Sequence, residues 1–156
     1  MRYVRGPAAL VAAFAAQLSL SAAWPASVTF FDLPLLVVIY YGLNRGPTVG
    51  LSLGGAVGLI QDGLVGSLLG AGALSLSLAG YVAGTAVTRF VLNGPLAQFL
   101  VVAVATLAAR LLEISTLAVM GRHLASPSLT TLMAGVAGNA FLGTALFTML
   151  QQKRPT

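Results

Sequence analysis

Long apolar stretches, broken by short polar or Gly-Pro punctuation, run through the whole chain. Within each stretch the hydrophobic residues are continuous and do not alternate. That pattern predicts helices and argues against the alternating strands of a barrel. A helix needs about 20 apolar residues to cross the hydrocarbon core of a bilayer. Cut at the punctuation, the sequence predicts six segments of this kind, 7–23, 30–43, 48–62, 71–88, 96–120 and 129–150. The breaks are Trp24-Pro25, Asn44-Arg45-Gly46-Pro47, Gln61-Asp62-Gly63, Arg89 with Asn93-Gly94-Pro95, and Gly121-Arg122-His123 with Ser126-Pro127-Ser128. Proline fits the first turn of a helix, which suits Pro95 as the start of the fifth segment. The expected fold class is all-α: a polytopic membrane helix bundle of about six transmembrane helices, one domain over residues 1–156. Two short tails and five short loops leave no room for an extramembrane domain. The second and third segments are short for the length rule, and the third is rich in Gly. A tilted, re-entrant or broken segment near Asp62 is the alternative to a full crossing there.

Composition strengthens this reading. Hydrophobic residues make up 58% of the chain and charged residues 7%, against about 25% charged in an ordinary soluble domain. So few charges cannot form the polar shell of a soluble enzyme. The net charge of +5 and the pI near 10.5 invite a nucleic-acid reading, but the cations are isolated at segment ends, so no nucleic-acid partner is expected. The absence of Cys removes disulfides, thiol chemistry and Cys-ligated metals. His123 alone cannot build a metal cluster, and neither a metal nor a cofactor is expected. Lys and Arg concentrate on the cytoplasmic side of membrane proteins. In a six-span arrangement Arg2, Arg5, Arg45, Arg89, Lys153 and Arg154 share one side, and only Arg122 lies opposite, beside Asp32 and Asp62. Both termini are therefore expected in the cytoplasm. The first segment has a secretory look, with two Arg before it and the small residues Ser21-Ala22-Ala23 at its end. Its length and the spans that follow favour an uncleaved helix.

Few residues could carry chemistry. Gly42, Gly46, Gly50, Gly54 and Gly58 recur every four residues, with Asp62, Gly66 and Gly70 continuing the step. Positions i and i+4 share a helix face, so Gly50, Gly54 and Gly58 form a smooth groove, and Gly80 and Gly84 form another. Such faces let helix backbones approach closely. Packing inside one chain is favoured over a partner interface, and both stay open. Asp62 ends an apolar segment, where an ionisable group is costly and often functional. The alternatives are a carboxylate wetted by loop water or one capping the next helix. Asp32 begins the second segment, where the helix dipole favours an acid. Arg110 and Glu113 lie three residues apart inside the fifth segment and share a face. A local neutralising pair is the simple reading, with Asp62 as a competing partner for Arg110 in the sharper one. Gln17 and Asn139 are neutral polar groups suited to interhelical hydrogen bonds. No Ser-His-acid set, phosphate loop or metal-ligand pattern is present, so an enzyme is not expected.

The chain resembles the MreD family, the small membrane component of the bacterial rod-shape machinery. The resemblance rests on Gln17, on the second segment with Pro34, and on the stretch GPTVGLSLGGAVGLIQDGLVGSLLGAGALSLSLAGYVAG. There spaced Gly50, Gly54 and Gly58 precede Asp62, Gly70, Gly80-Tyr81 and Gly84. It implies a non-enzymatic protein of the bacterial inner membrane. The implied partners are a single-span MreC-like protein and, beside it, MreB, RodA and a class B penicillin-binding protein, together directing lateral peptidoglycan synthesis and cell shape. A homo-oligomer stays open. The fold it implies is similar to the substrate-binding S-components of energy-coupling-factor transporters. That likeness supplies an alternative function, a vitamin-binding subunit. The resemblance carries no catalytic residue onto this chain.

Overall fold

A computed structural model describes residues 5–23, 31–66, 69–89, 94–121 and 128–152. Arg2, Trp24-Pro25, Asn93, Arg122, His123, Ser126-Pro127 and Lys153-Arg154, used above for breaks and topology, lie outside the described residues. Helices account for nearly all of the rest, and no strand occurs among the described residues. They are α1 (Arg5–Ala23), α2 (Leu33–Arg45), α3 (Pro47–Val65), α4 (Ala71–Arg89), α5 (Pro95–Val119) and α6 (Leu129–Gln152). Each predicted segment coincides with one of these helices to within three residues at either end. Among the described residues, three helices are long and apolar enough to cross a membrane: Ala71–Arg89, Pro95–Val119 and Leu129–Leu150.

The short helix α2 is the axis of the bundle, in contact with all five other helices. Its 13 residues extend only about 20 Å at 1.5 Å per residue. Leu35, Leu36, Val38 and Ile39 on α2 are essentially inaccessible. They join Val57, Leu76, Ala79, Ala83, Val102, Ala105 and Ala140 in one core. The chain then reverses sharply. Gly46, at φ 94°, separates the end of α2 from Pro47, the first residue of α3. Gly94, at φ 105°, precedes Pro95 in the same way.

Helices α3 and α4 form the most extensive pairing in the molecule, and the glycine faces explain it. A Cβ built on Gly54 would overlap the carbonyl oxygen of Leu76, and one on Gly58 would overlap the Ala73 backbone. Gly50 and Gly80 meet backbone to backbone in the same way. Gly84 abuts Pro47 and Gly46 at the far end of the seam. Gly42 extends the contact to a third helix, since its Cβ would lie 2.6 Å from the Gly80 carbonyl oxygen. Three backbones thus converge at Gly42, Gly50 and Gly80. The seam formed by Gly50, Gly54, Gly58, Gly80 and Gly84 is filled by the chain itself, and no partner helix has room on it. Spacing of small residues marks a face for close approach but cannot say whose helix approaches.

The outward surface is apolar. Leu64, Leu74, Leu100, Val104, Leu129 and Phe141 are all exposed. Hydroxyls along the helices turn inward on their own backbone: Ser115 donates to the Leu111 carbonyl, Thr116 to Leu112, Thr144 to Ala140 and Thr148 to Thr144. Such back-bonding satisfies a polar group without a neighbour.

The seam predicts opposite outcomes for two glycines of α3. Gly54→Ala should lower the detergent melting temperature, because overpacking a tight contact costs about 1–3 kcal/mol. Gly63 is exposed and has nothing within 4 Å of its would-be Cβ. Gly63→Ala should raise the melting temperature slightly, by the helix propensity of about 1 kcal/mol or less. Equal effects of the two substitutions would rule out the backbone-contact account.

Candidate functional site

Side chains from α1, α5 and α6 converge on the first turn of α2. Helix starts leave amide groups without intrahelical acceptors, and inside hydrocarbon each must find one within the protein. At this start the supply is complete. Asn139 on α6, 1% exposed, accepts the Asp32 amide through its Oδ1 at 2.9 Å. Gln17 on α1 accepts the Leu33 amide through Oε1 at 3.1 Å and donates from Nε2 to the Phe31 carbonyl at 3.0 Å. Pro34 has no amide hydrogen to satisfy. The Asp32 carboxylate accepts the Leu35 amide at 3.1 Å, as an N-cap. The Leu36 amide bonds the Asp32 carbonyl at 3.1 Å.

The same aspartate faces α5. Arg110 Nη2 lies 3.9 Å from Asp32 Oδ2, and Arg110 Nη1 donates to Glu113 Oε2 at 3.2 Å. Their side chains are about a quarter, a tenth and two fifths exposed for Arg110, Asp32 and Glu113 in turn. The positive start of α2 compensates Asp32, while Arg110 and Glu113 balance each other. Thr106 sits one turn before Arg110 on the same face of α5, 1% exposed, and its hydroxyl has no hydrogen-bond partner among the described residues.

Asp62 does separate work. Buried at 4% exposure, it reaches across the turn after α3 and caps α4. Its carboxylate accepts the Gly70 amide at 2.8 Å, the Gly72 amide at 3.0 Å and the Ala73 amide at 3.4 Å. A Cβ at Gly72 would overlap Asp62 Oδ1, so a side chain there would displace the carboxylate from the amides it caps. The acid that shares Arg110 is therefore Asp32, and the expectation that Asp62 would compete for it is corrected. Asp62 ends α3 and spends its oxygens on the start of α4, whereas Asp32 begins the helix that α5 packs against.

The structure thus gathers Gln17, Arg110, Glu113 and Asn139 around one helix start and holds Asp62 at another. Sequence reasoning undervalued Asp32, whose signal was an acid two residues before Pro34 at the head of an apolar run. It also passed over Thr106, which carries no distinguishing local pattern, and Gly72, which hides beside Gly70. Among the described residues no three His, Cys, Asp or Glu side chains come together as a metal site.

A family model described as rod shape-determining protein MreD matches residues 6–151, nearly the whole chain. No curated protein and no solved structure gives a significant match.

The geometry orders three substitutions. Arg110→Leu strands Glu113 without its cation, so it should cost more than Glu113→Leu, which leaves Arg110 beside Asp32. The double variant should melt no lower than Arg110→Leu alone, with a coupling of about 1 kcal/mol for a partly exposed pair. Thermal melting of the four proteins in detergent reads this cycle. A double variant as low as the sum of the singles would sink the pairing.

Proposed function

The chain belongs to the MreD family of rod shape-determining proteins, and from that premise we propose that it is a membrane scaffold of the cell-elongation complex with no turnover of its own. Its role in rod-shape determination and its association with the membrane follow from the family. The finer reading is that it binds a single-span MreC-like protein, works beside MreB, RodA and a class B penicillin-binding protein, and helps direct lateral peptidoglycan synthesis. The family match over residues 6–151 carries this reading.

Two features of the molecule support it. The titratable side chains inside the bundle have structural work: Asp32 and Asp62 cap helices, and Arg110 and Glu113 pair. The outward faces of α5 and α6 present large apolar side chains, Leu100, Val104, Leu111 and Phe141 among them, and a partner's transmembrane helix would find its contact there, because the glycine seam is already filled. All six helices would lie in the bacterial inner membrane as one domain, the short α2 sheltered by the others, with both termini in the cytoplasm.

Purification of the tagged full chain in mild detergent, followed by mass spectrometry, tests the scaffold. An MreC-like membrane protein should co-elute. Retention of a vitamin-sized ligand with no membrane partner would replace the scaffold by the transporter-subunit reading. Topology has its own assay: a reporter fused at Thr156 should behave as cytoplasmic, and one inserted near Ser126 as external. An external C-terminus would overturn the six-span arrangement while leaving partner binding untouched.

A further inference from the structure

The fold sorts charge by end. The whole chain has three acidic side chains, Asp32, Asp62 and Glu113. Asp32 lies at the start of α2, Asp62 at the end of α3 and Glu113 in the last third of α5. Helices α2 and α3 are joined by the Gly46 reversal, and α4 packs against both with its start beside Asp62. Helix α5 returns antiparallel to α4 and brings Arg110 to Asp32. All three acids are therefore at one end of the bundle.

The opposite end carries Arg45, the last residue of α2, and Arg89, the last of α4. Both are exposed. They share one end of the bundle, because Gly84 touches Gly46 and Pro47, one and two residues after Arg45, and Arg89 ends the same helix as Gly84. Helix α6 also finishes here. Tyr40 of α2 meets Phe147 of α6 in a tilted contact with ring centroids 5.3 Å apart, and Asp32 bonds Asn139, so the two helices run parallel. None of the three acidic side chains lies at the end that carries Arg45 and Arg89. Each arginine is the last residue of its helix, where the negative end of the dipole favours a cation but leaves its side chain open to an anion. The positive start of α3 comes directly after α2, and α5 is the next helix after α4. Both of those starts, at Gly46-Pro47 and Gly94-Pro95, lack a side-chain cap.

We infer that the end carrying Arg45 and Arg89 binds the phosphate of anionic phospholipid headgroups. The cations are isolated in sequence, and the fold collects them beside an apolar belt, where Val87 and Leu96 are exposed. A ligand with an anionic head on an apolar body matches that juxtaposition, and basic clusters at the cytoplasmic ends of spans attract such lipids. The inference is independent of which protein partner the scaffold holds.

Native mass spectrometry of the full chain, offered equal phosphatidylglycerol and phosphatidylcholine with the same acyl chains, tests it. The wild type should retain phosphatidylglycerol in at least about fivefold excess, the ratio equivalent to about 1 kcal/mol of attraction for a basic residue near an anionic surface. Arg45→Gln with Arg89→Gln should bring the ratio near one with an unchanged melting temperature. Arg45→Lys with Arg89→Lys should keep the preference. No preference in the wild type, or an undiminished one in the double Gln variant, overturns the inference. So does loss of bound phosphatidylglycerol to excess inorganic phosphate, which would make the site one for a free anion. Co-elution of an MreC-like protein is read separately, so failure here leaves the scaffold reading standing.

Discussion

A helix that begins inside a packed, water-poor bundle has amides with no solvent to turn to. Helix α2 is in that position, and the rest of the structure is arranged around meeting its need. Gln17 takes one amide, Asn139 a second, Asp32 a third, and Pro34 removes a fourth. Each unsatisfied group in such a setting costs several kcal/mol, comparable to a large share of a domain's net stability. The outer helices α1 and α6 are thereby pinned to the axis by hydrogen bonds at a defined height, which apolar contact alone cannot specify.

The same logic governs α4. Its start is capped from another helix by Asp62, and the cap and the glycine seam depend on each other. Gly58 lets α3 lie against Ala73, and Gly72 leaves room for the carboxylate that Gly70, Gly72 and Ala73 share. A side chain at either glycine would push apart the elements that satisfy the amides. Close backbone packing and polar satisfaction are here one requirement, met together by Gly58, Asp62, Gly70, Gly72 and Ala73.

Much of the architecture was legible in the sequence, because Gly-Pro punctuation and apolar length are local signals. The starts of α3 and α5 lie at Pro47 and Pro95, one residue from expectation. Helix α2 starts at Leu33, three residues later than expected, because Asp32 stands outside the helix as its cap. The Arg110–Glu113 contact was legible too, since spacing within one helix defines it. What the residues do across helices was not. The choice of Asp32 over Asp62 beside Arg110 depends on which helix ends meet. The occupant of the glycine faces depends on the path of the chain between them. Neither is encoded in spacing.

The bond between Asn139 and the Asp32 amide joins residues 107 positions apart. A ribosome feeding this chain into a bilayer delivers α2 early and α6 last. Throughout that interval the amide of Asp32 lacks the acceptor it has in the finished bundle. The protein therefore cannot complete its axis span by span, because the start of α2 is finished only once α6 is in place. A chain halted before Asn139 would leave that amide without its acceptor and the first turn of α2 unfinished.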